Sequence, residues 1–348
     1  MNNSHSRTGL LLINLGTPDE PTPEKVGSYL KEFLMDPLVI DIPFAFRWIL
    51  VNLLIVPRRS HASAKLYEKV WDAKLGSPLL SYTRDFARKM KEAAGEDAVV
   101  TFGMRYGKPS IESAVRELLD AGVTQITAFP LYPQYSLAAT ESSNVEVKRV
   151  LEKLSSSVPV KMLPAFYQDS AYLDAVAEVS RPYLERPHDF TLFSFHGLPE
   201  RQVKKTDPSG AHCLAMEECC AKTVPANSDC YRQQCFVTAH EVARRLGIEE
   251  KKYAIAFQSR LGRTPWIRPY SDHFYESLPK EGIRKVAVLC PSFVADCLET
   301  LEEVQIRGRE QFVAAGGEDL FLVPSLNAED VWVKAALQIA RPSFSPRN

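Results

Sequence analysis

LLINLGTP at residues 11–18 and LFSFHGLP at residues 192–199 decide the fold. Each is a short apolar run closed by Gly-x-Pro, as expected of a buried strand that runs into a turn. The match does not stand alone. FGMRYGKP at 102–109 finds its partner in FQSRLGRTP at 257–265, which sets Arg105 opposite Arg260 and Gly107 opposite Gly262. YPQYSLAATE at 132–141 lines up with CPSFVADCLE at 290–299, pairing Pro133 with Pro291 and Glu141 with Glu299. LPAF at 163–166 echoes VPSL at 323–326. Four matches in one order mark a duplication.

Eight runs read as strands: Leu10–Leu15, Val99–Met104, Gln125–Leu131, Val160–Pro164, Thr191–Phe195, Tyr253–Gln258, Lys285–Leu289 and Leu320–Val323. Most are continuous rather than alternating, which suits parallel strands covered on both faces. Amphipathic stretches such as SIESAVRELLDAG and DCLETLEEVQIRGREQF lie between them. Strand–helix alternation of this kind predicts an α/β fold with two Rossmann-like, doubly wound domains related by pseudo-twofold symmetry, with a cleft between them. At roughly 150 residues per domain, the 348-residue length agrees with two. We expect a first domain over residues 1–176, a second over 177–326, and a C-terminal helix and tail over 327–348 that packs back on the first.

Composition narrows the function. Hydrophobic residues make up 45% and charged residues 24%, which excludes a disordered or fibrous chain. A net charge of −1 gives no polycationic face, so nucleic-acid binding through backbone charge is not expected. The polar start MNNSHSRTG and the short apolar LLLIN lack a secretory h-region, so the expected location is cytoplasmic. The segment LVIDIPFAFRWILVNLLIV at 38–56 is interrupted by Asp41 and Arg47 and is too short to span a bilayer. Closed by Arg58 and Arg59, it is either a core helix or an exposed apolar lip over about residues 38–60. A lip would meet a greasy ligand or touch the inner face of a membrane peripherally.

Ligands of such sheets sit beyond the carboxyl ends of the strands. There the sequence puts Asn14, Arg105, Tyr106, Tyr132, Tyr135, His196, Arg260 and the Asp296–Glu299 turn. No GxGxxG or GxxxxGK[ST] follows a strand, so neither a dinucleotide nor an ATP phosphate site is indicated. Departures from the repeat are informative. His196 replaces Leu15 of the first copy and brings a group that titrates near neutral pH or binds a borderline metal. Asp296, Glu299 and Glu303, at i, i+3 and i+7, put three carboxylates on one helix face. Asp296 is equally suited to capping that helix. A carboxylate row leading from a cleft is suited to passing protons or a divalent cation.

In this order, LLINLGTP, GMRYGKP, FPLYPQYS, FSFHGLPE, AFQSRLGRTPW and CPSFVADCLETLEE resemble the ferrochelatases, lyases that insert ferrous iron into a porphyrin to make heme. The resemblance runs from about Leu10 to Pro324 and implies the same two-lobed fold. It places the catalytic histidine on His196, the essential glutamate on Glu299, and the acidic row behind it on Asp296 and Glu303. His196 and Glu299 are also the implied contacts of the substrate Fe2+. The porphyrin-pocket tryptophan falls on Trp266, and the arginine–tyrosine pair on Arg105 and Tyr106. Many members carry histidine where this chain has Cys297, and others carry cysteine. Iron insertion removes two pyrrole protons, and a cleft that binds the ring bent exposes a nitrogen lone pair. His196 would take a pyrrole proton, while Glu299, Asp296 and Glu303 would carry protons or iron. Leu15, Leu34, Ile40 and Trp266 would hold the ring, with Asn14 and Tyr132 at its edge. Arg58, Arg59 or Ser77 would meet the propionates. Relatives that use coproporphyrin carry tyrosine where this chain has Leu15, so the resemblance implies protoporphyrin.

Five of the seven cysteines form the pattern Cys213-x5-Cys219-Cys220-x9-Cys230-x4-Cys235, in an insert over about residues 207–235. A reducing compartment argues against disulfides, and so dense a set reads as a metal site, whereas Cys290 and Cys297 read as buried thiols. The spacing departs from two short C-x2–4-C zinc pairs, and its x4 gap also occurs in iron–sulfur sites. Some ferrochelatases carry a 2Fe–2S cluster on an internal insert. That likeness points to Cys213, Cys220, Cys230 and Cys235 as ligands, with Cys219 as the alternative to Cys220. Competing readings are a coproporphyrin ferrochelatase, a cobalt chelatase of related fold and, from another class, an iron–sulfur redox sensor. Partner proteins are not legible in the sequence.

Overall fold

The computed structural model describes residues 7–216, 218–260, 262 and 264–343. Leu261 and Arg263 of the AFQSRLGRTPW motif, and the tail after residue 343, lie outside the described residues. Eight strands form where the sequence places them: β1 (Thr8–Thr17), β2 (Ala98–Gly107), β3 (Gln125–Pro130), β4 (Val160–Met162), β5 (Phe190–His196), β6 (Tyr253–Gln258), β7 (Lys285–Leu289) and β8 (Asp319–Leu322). They make two four-stranded parallel sheets, ordered β2-β1-β3-β4 and β6-β5-β7-β8. The second order repeats the first, so the duplication read from the motifs is a duplication of topology.

The central strand of each sheet is its most apolar. Leu10 to Ile13 have no accessible surface, and Leu12 sits between Phe102 of β2 and Phe129 of β3. Phe193 holds the same place between Ile255 of β6 and Leu289 of β7. Helices cover both faces, as the unbroken apolar strands require. The helix Ile111–Asp120 starts where Ser110 Oγ accepts the Ser113 N–H at 3.1 Å. It buries Ile111, Ala114, Val115 and Leu118 against Leu11, Ile13 and Ile126. In the second sheet Leu192, Ala256, Val286 and Val288 meet Tyr275, Val304 and Phe312.

The chain divides into two compact units. The first runs through Tyr132 and includes Leu137–Pro164 and the chain from Val333 onward; the second is Pro133–Ser136 with Ala165–Trp332. The exchange thus falls at Pro164 and Ala165, not at residues 176 and 177. The helix Ser170–Leu184 belongs with the second sheet because its buried side is committed there. Tyr172 OH donates to the Pro291 carbonyl at 2.5 Å, and Trp332 stacks on Phe166. The 327–348 segment is divided as well: the helix Asp330–Ala340 begins in the second unit and ends in the first.

Two stretches depart from the regular helices expected of them. DCLETLEEVQIRGREQF folds as Leu298–Thr300, a π-helical Leu301–Gly308, then Arg309–Ala314. Asp296 precedes this helix, and π winding spaces the acids differently from an α face, so the i, i+3, i+7 stripe is not formed as read. The 38–56 segment becomes a helix Phe44–Ile49 running through a π-helical Leu50–Ile55 into Val56–Val70. It is a lip and not a core helix. Phe44, Phe46 and Leu53 are 65%, 67% and 58% exposed, and from residue 44 to 55 only Arg47 and Val51 are buried. Among the described residues no helix is long and apolar enough to cross a membrane.

Candidate active site

In the second unit, β5 ends on His196, half-buried between two aromatic rings. Trp266 and Phe293 stand 6.4 and 6.3 Å from it, centroid to centroid. Its Nδ1 is 2.6 Å from the Gly197 carbonyl oxygen. A carbonyl only accepts, so the neutral ring carries its proton on Nδ1 and presents the Nε2 lone pair. The turn requires glycine: a Cβ at Gly197 would lie 2.8 Å from the Gln258 carbonyl oxygen and 3.2 Å from Trp266 Cε3. Trp266 is fixed by the Ile267 N–H, which donates to the Leu198 carbonyl at 3.0 Å, and by pairing of Trp266 with Pro199.

Glu303 faces the same corner. Ser259 grips its carboxylate twice, with the backbone N–H at 2.8 Å and the hydroxyl at 2.5 Å. Ser259 itself holds a left-handed φ of 67°, uncommon for a residue with a side chain. Burial raises the Glu303 carboxyl above the usual range; Ser259, Arg307 and His196 pull it back, and Glu299 pushes it up further. His196, Glu299 and Glu303 therefore form one electrostatic group. Gln258 ties Glu299 to β6, donating to the Glu299 carbonyl at 2.7 Å while accepting from Ser194 at 2.6 Å.

Asp296 is different. It is buried, and its carboxylate accepts from Thr300 Oγ1 at 2.9 Å, Asn327 Nδ2 at 2.8 Å and the Ser325 N–H at 3.3 Å. Those bonds join the turn after β7 to the turn after β8. Neither does Asp296 cap the helix, since the residue before Leu298 is Cys297. Among the described residues no three His, Cys, Asp or Glu side chains are arranged to hold a single metal ion.

In the first unit the strand ends are polar but occupied. Asn14 is buried, giving Nδ2 to Thr83 Oγ1 at 3.0 Å and accepting the Leu15 N–H at 2.9 Å. Tyr106 has no accessible surface, and its hydroxyl donates to Asp36 at 2.9 Å. Arg105 Nη2 pairs with the same Asp36 oxygen at 2.5 Å. Tyr132 is half-buried, and burial pushes its hydroxyl pKa up. Ser77 is buried at the start of the helix Pro78–Ala94. Arg58 is exposed; Arg59 is half-buried, and burial lowers its pKa. Leu15 is half-buried at the end of β1, in the place His196 takes in the second unit.

The cysteine insert is a compact thiol group. Cys213, Cys219, Cys220, Cys230 and Cys235 are all buried and free, as are Cys290 and Cys297. Burial raises the thiol pKa of Cys213, Cys219 and Cys235, and Cys220 is pushed up by its neighbour Cys230 and by burial. Cys219 Sγ is 3.7 Å from Cys220 Sγ and accepts the Leu214 N–H at 3.4 Å. Two acceptor-rich side chains shape the loop. Asp207 receives the N–H groups of His212 and Cys213, each at 2.8 Å, while buried Asn227 donates to the carbonyls of Cys219 and Lys222 at 3.0 and 2.9 Å.

Sequence reasoning missed Asp36, Ser142, Ser259 and Phe293. Ser259 stood inside the AFQSR motif, and Asp36 was a lone acid in the apolar run FLMDPLVI. Ser142 and Phe293 carry no signal that a spacing argument detects.

Comparison with known proteins identifies the family and the fold. The family model described as Ferrochelatase matches residues 7–343. A ferrochelatase of Coxiella burnetii is 45% identical over 98% of this chain and 95% of its own. Those of Pseudomonas aeruginosa and Bdellovibrio bacteriovorus are 44% identical, covering 97% and 96% of this chain and 99% of theirs. Among solved structures, SirB from Bacillus subtilis with Fe3+ aligns at a TM-score of 0.52 and 12% identity, covering 97% of this chain and 96% of its own. The sirohydrochlorin chelatase SirB of B. subtilis subspecies spizizenii, in complex with cobalt, aligns at 0.54 and 10%, covering 97% and 95%. At those identities the two structures attest the fold.

Proposed function

The chain belongs to the ferrochelatase family, and we propose that it inserts ferrous iron into protoporphyrin, with His196 as the base and Glu299 and Glu303 as the proton carriers. The observation that carries this reading is the His196 tautomer. Nδ1 is committed to the Gly197 carbonyl, so Nε2 is the basic atom, flanked by the aromatic faces of Trp266 and Phe293. A flat aromatic substrate suits such a setting. Transfer of a pyrrole proton to Nε2 gives an imidazolium that attracts the Glu303 carboxylate, which in turn feels Glu299. Glu303 already holds a proton more tightly than an ordinary carboxylate, which suits it to receive one and pass it on. Asp296, with its carboxylate engaged by Thr300, Ser325 and Asn327, acts as a positioning residue.

Leu15 and the exposed lip favour a ring with few charged groups, hence protoporphyrin over coproporphyrin. The half-buried Arg59 and exposed Arg58 are the cations available for propionates. The lip also suits weak, peripheral contact with a membrane face, since it is apolar, short and edged by those arginines. Mixing anaerobic protein with porphyrin and ferrous iron tests the reading. Four visible porphyrin bands should collapse to two with protoporphyrin, and much more slowly with coproporphyrin. No collapse with either ring would refute it.

For the insert we propose a 2Fe–2S cluster on Cys213, Cys220, Cys230 and Cys235. The donor set fits in its chemistry: buried, free thiols gathered in one insert, the soft ligands such a cluster takes as thiolates, although burial raises the thiol pKa of Cys235 and, with Cys230 beside it, that of Cys220. Cys220 is favoured over Cys219, whose sulfur already accepts the Leu214 N–H. When bound, such a cluster supplies a one-electron centre. Asp207 and Asn227 are the residues that hold the thiols in place for it.

A further inference from the structure

We propose that Asp36 is a positioning residue that sets the apolar lip through a buried network with Arg105, Tyr106 and Ser142. The inference rests on the reading above, in that the lip is the surface offered to the porphyrin.

The lip's far end is anchored by buried Val51 and the helix Val56–Val70, while its near end has little of its own to hold it in place. Phe44, Phe46, Trp48, Ile49, Leu53 and Leu54 are all exposed, so hydrophobic burial does not fix their direction. Polar bonds do so instead, and they converge on Asp36. Its carboxylate is 3% exposed and receives four donors. Oδ2 accepts from Arg105 Nη2 at 2.5 Å, Ser142 Oγ at 2.6 Å and Tyr106 OH at 2.9 Å, and Oδ1 accepts the Leu38 N–H at 2.7 Å. The Asp36 carbonyl takes the N–H groups of Val39 and Ile40 at 3.1 and 3.0 Å. Residues 36–40 are thereby folded into one turn. Buried Arg47 extends it, donating from Nη1 to the carbonyls of Ile40 and Ile42 at 3.1 and 3.0 Å.

The other end of the network lies on rigid elements. Arg105 and Tyr106 come from the end of β2, and Ser142 opens the helix Ser142–Lys153. Arg105 Nε also donates to Ser142, at 3.1 Å to the carbonyl and 2.7 Å to the hydroxyl. An ion pair on a buried carboxylate with each oxygen engaged is a geometric lock, costly to break from one side. Tyr106 has no accessible surface, so it acts on a ligand only through Asp36 and the lip.

The test uses the full chain with Asp36→Asn, which keeps the shape and loses the charge, and Tyr106→Phe, which removes a single hydroxyl. Iron-insertion kinetics against protoporphyrin are read beside amide hydrogen exchange. For Asp36→Asn we expect KM to rise about tenfold with kcat changed by less than about threefold. Exchange should quicken over residues 36–49 and stay unchanged in β5–β8. Tyr106→Phe should move KM and local exchange in the same direction, by about threefold. If Asp36→Asn does not fold, Tyr106→Phe decides alone. Unchanged KM and unchanged local exchange would overturn the inference, as would faster exchange spread evenly over both units. A wild-type protein that metallates no porphyrin overturns the functional reading, while the exchange result still decides whether Asp36 sets the lip.

Discussion

Arg105 and Arg260 stand at matching positions in the two copies of one sheet topology, and the copies use them differently. Arg105 is half-buried against the buried Asp36, with side-chain exposures of 15% and 3%. Arg260 meets Asp272 at 2.9 Å on the surface, with exposures of 48% and 39%. The residues after the third strand of each sheet diverge as well. Glu303 of the second unit corresponds to Val145 of the first, and Asp296 to Ala138, while His196 replaces Leu15. The first copy uses its strand-end charges to fix a surface, and the second sets its own around a titratable ring. On the proposed reading, one framework carries holding and reacting on separate halves.

The comparison is broken first by activity. His196→Ala and Glu299→Gln should each lower iron insertion by about 10²- to 10⁴-fold, with the thermal transition nearly unmoved. Glu141→Gln, at the matching place in the first copy, should stay within about twofold of wild type. An equal loss from Glu141→Gln would erase the division of labour between the copies.

Stability breaks it next. Asp36→Ala takes the partner from half-buried Arg105 and the acceptor from the buried Tyr106 and Ser142 hydroxyls, and should cost about 2–3 kcal/mol in denaturant unfolding. Arg260→Ala removes an exposed pair and should cost no more than about 1 kcal/mol. Similar losses would mean that the two arginines do the same work.

The insert sharpens the contrast, since the first copy has no counterpart to it. With a cluster bound, Cys213→Ser, Cys230→Ser or Cys235→Ser should bleach the reddish protein and lower its soluble yield, because metal binding contributes to folding. Cys219→Ser should keep the colour. A colourless wild type with stoichiometric zinc and full activity would turn the insert into a structural zinc site.

The smallest expected effect is on pH dependence. Burial raises the Glu303 pKa, so the folded chain binds its proton more tightly than the unfolded chain. Stability from this group is therefore lost as pH climbs from the ordinary carboxylate pKa through the raised one. Thermal melts across that window should fall more steeply for wild type than for Glu303→Gln. Parallel melts would show that Glu303 carries no such strain.

Much of the framework was legible. Most of the eight strands follow from continuous apolar runs, because a strand covered on both faces has few polar positions to confuse its period; the short, half-exposed β4 is the exception. The duplication was legible because Gly and Pro at strand ends answer to backbone geometry, as Gly197 does against the Gln258 carbonyl. His196, Glu299, Glu303 and Trp266 were reached by motif likeness and by departure from the repeat. The acidic stripe was misdrawn. Periodicity assumes 3.6 residues per turn, and the Leu301–Gly308 segment is wound as a π-helix instead.

By itself, then, the sequence determined the sheets, their repeat and the family, and singled out the candidate site residues, since each depends on local pattern or on a motif held within a few positions. Only the tertiary structure decided three things. It committed Asp296 to holding two turns together, exposed the 38–56 segment as a lip, and joined Asp36 to Arg105, Tyr106 and Ser142. Those partners lie up to 106 residues apart in the chain. A buried carboxylate takes whatever donors the packing brings within reach, and no spacing rule in one dimension encodes that meeting.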